Sequence, residues 1–228
     1  MTEPSTIETD PKPNTSGFVF VFLTVALDML AIGLIVPILP NLVNEMTGGD
    51  ISQAALYVGL FSMLWAVMQF VFMPIMGALS DQYGRKPIFV LSNFGQCAAH
   101  ILAALSPGFF LLGLSRVLLG ATGAVVSTAN AYIADTTPPD GRAAKFGMLG
   151  AAFGLGFILG PALGGYLGKF DLHMPFWVAA GMTFLNGLYG QFFLKESLPL
   201  HNRTRFNWAK ANPVGSIGFL GENPKVTL

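Results

Sequence analysis

Asp28 and Arg116 are the only charged residues (Asp, Glu, Lys or Arg) inside the long apolar stretches of this chain. An ionisable side chain at membrane depth costs about 2.5–3.5 kcal/mol on insertion scales, so it faces a partner or a wet cavity and marks a path for ions or substrate. The two residues differ in what they can do with a proton. A carboxyl can take one up and give it back, whereas a guanidinium keeps its proton in any protein environment. One carboxylate and one guanidinium in an otherwise neutral bundle point to proton- or ion-coupled transport, with Asp28 as the proton carrier. Two blander assignments compete. Asp28 can be a structural side chain bonded to a neighbouring helix, and Arg116 can be an anchor that snorkels to the membrane interface.

Weaker polar groups accompany these charges. Positions 116, 120, 123, 127 and 130 are Arg, Gly, Gly, Ser and Asn, and their spacing places them on one face of a continuous helix. A face with a charge, two glycines and the polar groups of Ser127 and Asn130 suits a cavity wall better than lipid. Gln69, Gln96 and His100 are the other candidates for lining a substrate cavity. His100 reads either as a proton site or as a hydrogen-bonded packing residue. The histidines have no metal-ligand spacing, Cys97 has no second cysteine to pair with, and no basic patch suited to nucleic acid occurs. No metal, cofactor or covalent catalysis is expected, so the chain reads as a carrier and not as an enzyme.

Transmembrane helices must position these side chains. Residues 18–39, 54–79, 87–105, 109–134, 146–168 and 174–194 are apolar over the roughly 20 residues a helix needs to cross a bilayer. Hydrophobic residues make up 53% of the chain and charged ones 11%, against about 25% charged in a soluble domain. The formal net charge is zero, yet the charges are sided. Lys12, Arg85, Lys86, Arg142, Lys145, Lys195, Arg203, Arg205, Lys210 and Lys225 fall on one set of flanks and loops, and only Lys169 on the other. By the positive-inside rule both termini are cytoplasmic. Residues 1–16 lack the basic start of a signal peptide and read as a disordered cytoplasmic tail. Residues 17–195 form the membrane domain and the polar residues 196–228 a cytoplasmic linker. Within that linker, Phe206 and Trp208 among Arg205 and Lys210 suit a short interfacial segment or a plain solvated one. Pro37 and Pro40 predict a bend near the outer end of the first span.

Two strings carry more specific information. The turn between spans two and three runs from Gly77 through Asp81, Gly84, Arg85 and Lys86 to Pro87. Its glycines permit a tight turn, and its basic pair holds it in the cytoplasm. Span five carries Gly156, Gly160, Gly164 and Gly168 at i, i+4 spacing, a smooth strip on which another helix can approach closely. Pro161 in the same span removes a backbone donor and predicts a kink. The first string resembles the signature of the major facilitator superfamily. The second, Gly156-x3-Gly160-Pro161-x2-Gly164-Gly165, resembles the motif of drug/proton antiporters within it. With Asp28, Gln69, the run Asp135-Thr-Thr and Arg142, the chain resembles the tetracycline-efflux branch over residues 18–220.

The resemblance implies an all-α integral membrane fold of six transmembrane helices. These would be the N-terminal half of a twelve-helix major facilitator bundle with 3+3 inverted repeats and a substrate site at the midplane between halves. It implies proton-coupled efflux of a small amphipathic, drug-like compound across the plasma (inner) membrane, tetracycline-like compounds included. Proton coupling would fall to Asp28 and Arg116. Conformational gating would fall to Gly77, Asp81, Gly84, Arg85, Lys86, Asp135 and Arg142. The implied partners are a small-molecule substrate, protons, the lipid bilayer and a C-terminal six-helix half, in which a helix N-terminus would meet Asp81. Two positions depart from the pattern: Gln82 stands where the family often has a basic residue, and Ala99 where tetracycline carriers have an acidic one. Two other functions stay open. One is a proton-coupled importer that uses Arg116 to hold an anionic substrate. The other is a membrane fragment or assembly partner that does not transport, since the chain stops before a second half.

Overall fold

The structure, a computed structural model, describes residues 15–208 and residue 211. Its α-helices are α1 (Thr15–Ile35), α2 (Ile38–Met46), α3 (Ile51–Tyr83), α4 (Arg85–Ala104), α5 (Phe109–Thr122), α6 (Val125–Thr136), α7 (Pro139–Leu167) and α8 (Met174–Phe193), and no strand occurs among the described residues. The expected tail and the far end of the linker lie outside those residues.

Local chemistry explains where the helices start and stop. Pro37 cannot donate to the preceding turn, so the first crossing breaks after Ile35 and resumes as α2. The Asp50 carboxylate accepts from the backbone N–H of Gln53 at 3.0 Å, a cap worth about 1 kcal/mol that fixes the start of α3. Gly84 adopts a φ of +107° between α3 and α4, a conformation open to glycine and strained for other residues. The loop expected at 80–86 thus shrinks to one residue. Pro138 and Pro139 open α7, where Pro139 occupies the first turn and its missing N–H costs nothing.

Taking α1 with α2 and α5 with α6, the chain makes six rods. Five are long and apolar enough to cross a membrane. The sixth, α8, has 20 residues, about 30 Å at 1.5 Å per residue, although Pro175, Asn186 and Gln191 dilute its apolar character. Faces of α3 and α7 leave Met63, Phe70, Phe157 and Ile158 exposed, as a lipid or helix partner requires and water does not.

The packing order has an internal symmetry. The first rod packs most heavily on α7, α3 on α5, and α4 on α8. Exchanging rods one, two and three with four, five and six maps the first of these pairs onto the second and the third onto itself. That is the pattern of two three-helix repeats.

Two large buried apolar clusters and a small third one of Met76, Ile88 and Ala124 fill the bundle. One of the large pair gathers Phe20, Val25, Phe89, Tyr132 and Leu149 toward the end that bears Arg85, and the other gathers Leu34, Leu42, Phe61, Leu112 and Phe176 toward the opposite end. Between them along α4, α5 and α8 fall the buried polar residues Asn93, Gln96, His100, Arg116, Thr183 and Asn186, while on α1 the buried Thr24 and Asp28 stand among residues of the first cluster. A polar layer at mid-depth is the principal departure from a plain apolar core.

Span four differs from the sequence reading. Backbone at Gly123 (φ −74°, ψ 53°) leaves the helix and α6 restarts at Val125, so the row from 116 to 130 is split between two rods. Arg116 and Gly120 are buried, whereas Asn130 is exposed. Helical spacing puts residues on one face only while the helix is unbroken.

Candidate functional site

The glycine ladder sets the depth of Asp28. Gly33 of α1 meets α7 so closely that a Cβ added there would lie 2.7 Å from the Gly156 carbonyl oxygen and 2.8 Å from the Gly160 Cα. Gly156, Gly160 and Gly164 are buried against α1, and α7 continues as helix through Pro161. Gly165 has nothing within 4 Å of an added Cβ and takes no part in this seam. Backbones that approach this closely lock two helices together in depth and rotation. This seam turns the Asp28 side of α1 toward α4.

Asp28 is 3% exposed. The Gln96 side chain approaches its carboxyl from α4, and Oδ1 accepts no hydrogen bond from any described residue. One turn earlier, Thr24 Oγ1 donates to Asn186 Oδ1 at 3.0 Å. Asn186 Nδ2 in turn donates to Asn93 Oδ1 at 2.9 Å, and Asn93 Nδ2 donates to the Phe89 carbonyl at 2.8 Å. This relay ties α1, α4 and α8 and was absent from the sequence reading. Its only signal there is spacing: Asn93, Gln96 and His100 share one face of α4, and Thr183 and Asn186 one face of α8.

Arg116 is 6% exposed, and its Nε has no hydrogen-bond partner among the described residues. Its guanidinium lies 5.9 Å from the centroid of the Phe176 ring. None of the ion pairs among the described residues includes Asp28 or Arg116, so the two mid-membrane charges do not neutralise each other by contact. Arg116 and His100 share a cavity of about 310 Å³ with walls from α1, α3 and α5. Asp28, Gln69, Gln96, Ser127 and Asn130 do not line it.

Gln69 and Ser127 sit nearer the break in span four. Gln69 Nε2 reaches the Gly123 carbonyl at 3.5 Å, an acceptor that the interrupted helix leaves open. Ser127 lines a second, smaller cleft with Gly77, Asp81 and Arg85.

At that end of the bundle the gating candidates converge. Arg85 Nη1 pairs with Asp81 Oδ1 at 2.6 Å, and Arg85 Nε with Asp135 Oδ2 at 2.9 Å. Nη1 also donates to Ser80 Oγ at 3.1 Å. Arg142 closes the adjoining turn by donating to the carbonyls of Ala134 at 2.8 Å and Thr137 at 3.0 Å. Lys86 is partly exposed and forms no ion pair among the described residues.

The segment after α8 adds a residue that sequence reasoning passed over. Glu196 Oε1 accepts from the backbone N–H of Arg85 at 2.8 Å, and Oε2 from that of Lys86 at 3.3 Å. It thereby caps the N-terminus of α4, where a carboxylate is favoured by the helix dipole. Arg203 Nη2 stands 3.8 Å from the same carboxylate, and Phe206 donates its N–H to Gln82 Oε1 at 3.2 Å. Residues 196–206 therefore pack back on the α3–α4 turn instead of leaving it as a solvated linker.

The sequence profile of the Major Facilitator Superfamily matches residues 21–227. The chain belongs to this superfamily. It is 39% identical over 211 residues to the class C tetracycline resistance protein of Escherichia coli, covering 88% of this chain and 53% of that protein. With the class H tetracycline resistance protein of Pasteurella multocida it shares 38% identity, over 87% of this chain and 50% of that protein. Among solved structures it superposes on the human organic anion transporter MFSD10 (TETRAN) with a TM-score of 0.78 and 28% identity, over 89% of this chain and 54% of that one. The chain thus spans about half the length of the relatives it matches. Its architecture is the all-α, six-helix N-terminal half of the twelve-helix major facilitator fold, embedded in a membrane by multiple crossings.

Proposed function

We propose that this chain supplies the N-terminal half of a proton-coupled antiporter that exports a small amphipathic compound through the plasma (inner) membrane, paired with a C-terminal six-helix half. The reading is carried by Asp28: a carboxyl 3% exposed at mid-depth, outside every ion pair of the described residues, and held beside Gln96 by the α1–α7 seam. Such a group can cycle between neutral and charged forms as access alternates, whereas Arg116 keeps its charge throughout. The similarity to tetracycline resistance proteins supports export of drug-like compounds. With both termini cytoplasmic, the Arg85–Asp81–Asp135 cluster lies at the inner face and holds α3, α4 and α6 together when that face is closed.

The energetics are adequate. One proton moving down 100 mV contributes about 2.3 kcal/mol, equivalent to roughly a 45-fold substrate gradient at 1.4 kcal/mol per decade. Ala99 offers no acidic side chain in span three, so the substrate is chosen by the remaining polar layer.

The test uses the complete carrier in proteoliposomes with an imposed proton gradient. Asp28→Asn keeps size and polarity but cannot carry a proton. Uphill export of a responsive compound from a drug panel should be lost while passive counterflow persists. Proton-driven accumulation at the parent rate in Asp28→Asn would remove Asp28 from the coupling role.

A further inference from the structure

Arg116 presents an unmet requirement. Its guanidinium is 6% exposed and has no carboxylate within ion-pair distance among the described residues. Its Nε has no acceptor there, and the Phe176 ring, 5.9 Å away, is the contact that faces its charge. A guanidinium cannot escape this situation by losing its proton, and a buried charge without a partner is costly. His100 stands beside it, 1% exposed, with an unpartnered Nε2.

Both groups border the same cavity of about 310 Å³, whose other walls include Ile35, Phe61, Trp65 and Leu119. Small-molecule sites are commonly apolar clefts of about 300–1,000 Å³ with a few convergent polar groups, and this one fits a bicyclic aromatic body. The planar fork of arginine matches the oxygens of a carboxylate or sulfonate. A neutral ligand would leave the guanidinium unmet, and a cationic one would add repulsion, so the site discriminates by charge as well as by shape.

We propose that this cavity is a binding site for amphipathic organic acids, with the anionic group on Arg116, His100 at its flank and the aromatic body against Trp65 and Phe61. The inference rests on the reading of the chain as half of a small-molecule carrier and names the ligand class its outer cavity takes.

Trp65 provides an internal reporter. With Trp177→Phe and Trp208→Phe, the chain's remaining tryptophan is in the cavity wall, and a brominated ligand quenches it only on contact. Three probes of matched shape are titrated into the purified full chain in detergent and into the complete carrier: bromonaphthoate, bromonaphthamide and bromonaphthylmethylammonium. Bromonaphthoate should quench Trp65 with an affinity at least about tenfold above the other two, the scale expected of a charge-selective pocket. Arg116→Gln should bring the anion down to the level of the amide without weakening the amide, and Arg116→Lys should keep a reduced preference.

Equal affinities of the three probes in the parent protein would overturn the assignment, even if Arg116→Gln fails to fold. An anion preference that survives Arg116→Gln would overturn it as well. Transport separates this inference from the one it rests on. Export of other compounds without anion-selective quenching sinks the site and spares the carrier. Arg116-dependent quenching without any transport by the complete protein keeps the site and sinks the carrier.

Discussion

Replacing Gly160 by alanine tests whether the α1–α7 seam is a backbone-to-backbone contact. A Cβ at this position would lie 2.5 Å from Gly33 Cα, 2.7 Å from Gly33 C and 3.1 Å from the Leu30 carbonyl oxygen. All three are main-chain atoms, so no side chain can rotate away. Carbon pairs rest at about 3.5–4.0 Å, so the helices must separate by about 1 Å, and a gap of that size forfeits a quarter to a half of each contact. A patch of some 40 atom pairs at about 0.15 kcal/mol each then loses about 1.5–3 kcal/mol. Alanine returns about 1 kcal/mol through its higher helix propensity. The net expectation is a loss of about 0.5–2 kcal/mol, near the lower part of the range for overpacked sites.

Gly165→Ala, on the same helix but with nothing within 4 Å of the added Cβ, collects the propensity gain without the clash. Titrating both variants from dodecylmaltoside into dodecyl sulfate, with helix content as the readout, measures the difference. The two should move in opposite directions. If Gly160→Ala is as stable as Gly165→Ala, the seam does not exist at this separation.

Two further expectations concern the basic end and the orientation of the bundle. A double-mutant cycle of Arg85→Gln with Asp135→Asn, read by the same unfolding titration, should give a coupling energy of about 1–3 kcal/mol, as for hydrogen-bonded partly buried charges. A coupling near zero would make the 2.9 Å contact an idle one. In a Cys97→Ser background, cysteines placed at Ser52 and Asp171 should react with an impermeant maleimide in intact cells while one at Gln82 should not. Labelling at position 82 would invert the orientation derived from the sided lysines and arginines.

The parts of this molecule that could be read from its sequence are those fixed by local pattern. Apolar length marks the crossings, Pro37 marks the break in the first, and the four-residue spacing of Gly156, Gly160 and Gly164 marks a close helix contact whose partner it cannot name. The Thr24–Asn186 bond joins residues 162 apart, and nothing near either one announces the other. Glu196 lies in a polar stretch that resembles solvated linker, because a helix cap supplied from 111 residues away leaves no local motif. The break at Gly123 was hidden for a different reason. Glycine is common in membrane helices, so its presence alone does not separate a packing site from an interruption. That ambiguity leaves positions 127 and 130 in register with Arg116 by spacing, although the chain turns away between them.

The arrangement of rods bears on how the two ends of the half communicate. Helix α4 is unbroken, and it begins with Arg85 in the ion cluster and carries Asn93, Gln96 and His100 through the polar layer. Any tilt of α4 that separates Arg85 from Asp135 therefore also moves Gln96 relative to Asp28 and His100 relative to the cavity. Span four behaves differently, because Gly123 and Ala124 interrupt it between Arg116 on α5 and Asp135 on α6. The two halves of that span can reorient separately, and Gln69 already compensates the open carbonyl at the joint. With α4 unbroken and the fourth span jointed, Asp135 lies on one side of the joint and Arg116, against Phe176, on the other. Arg116 can thus stay fixed while Asp28 changes its surroundings, the division of labour that the proposed coupling and binding roles require.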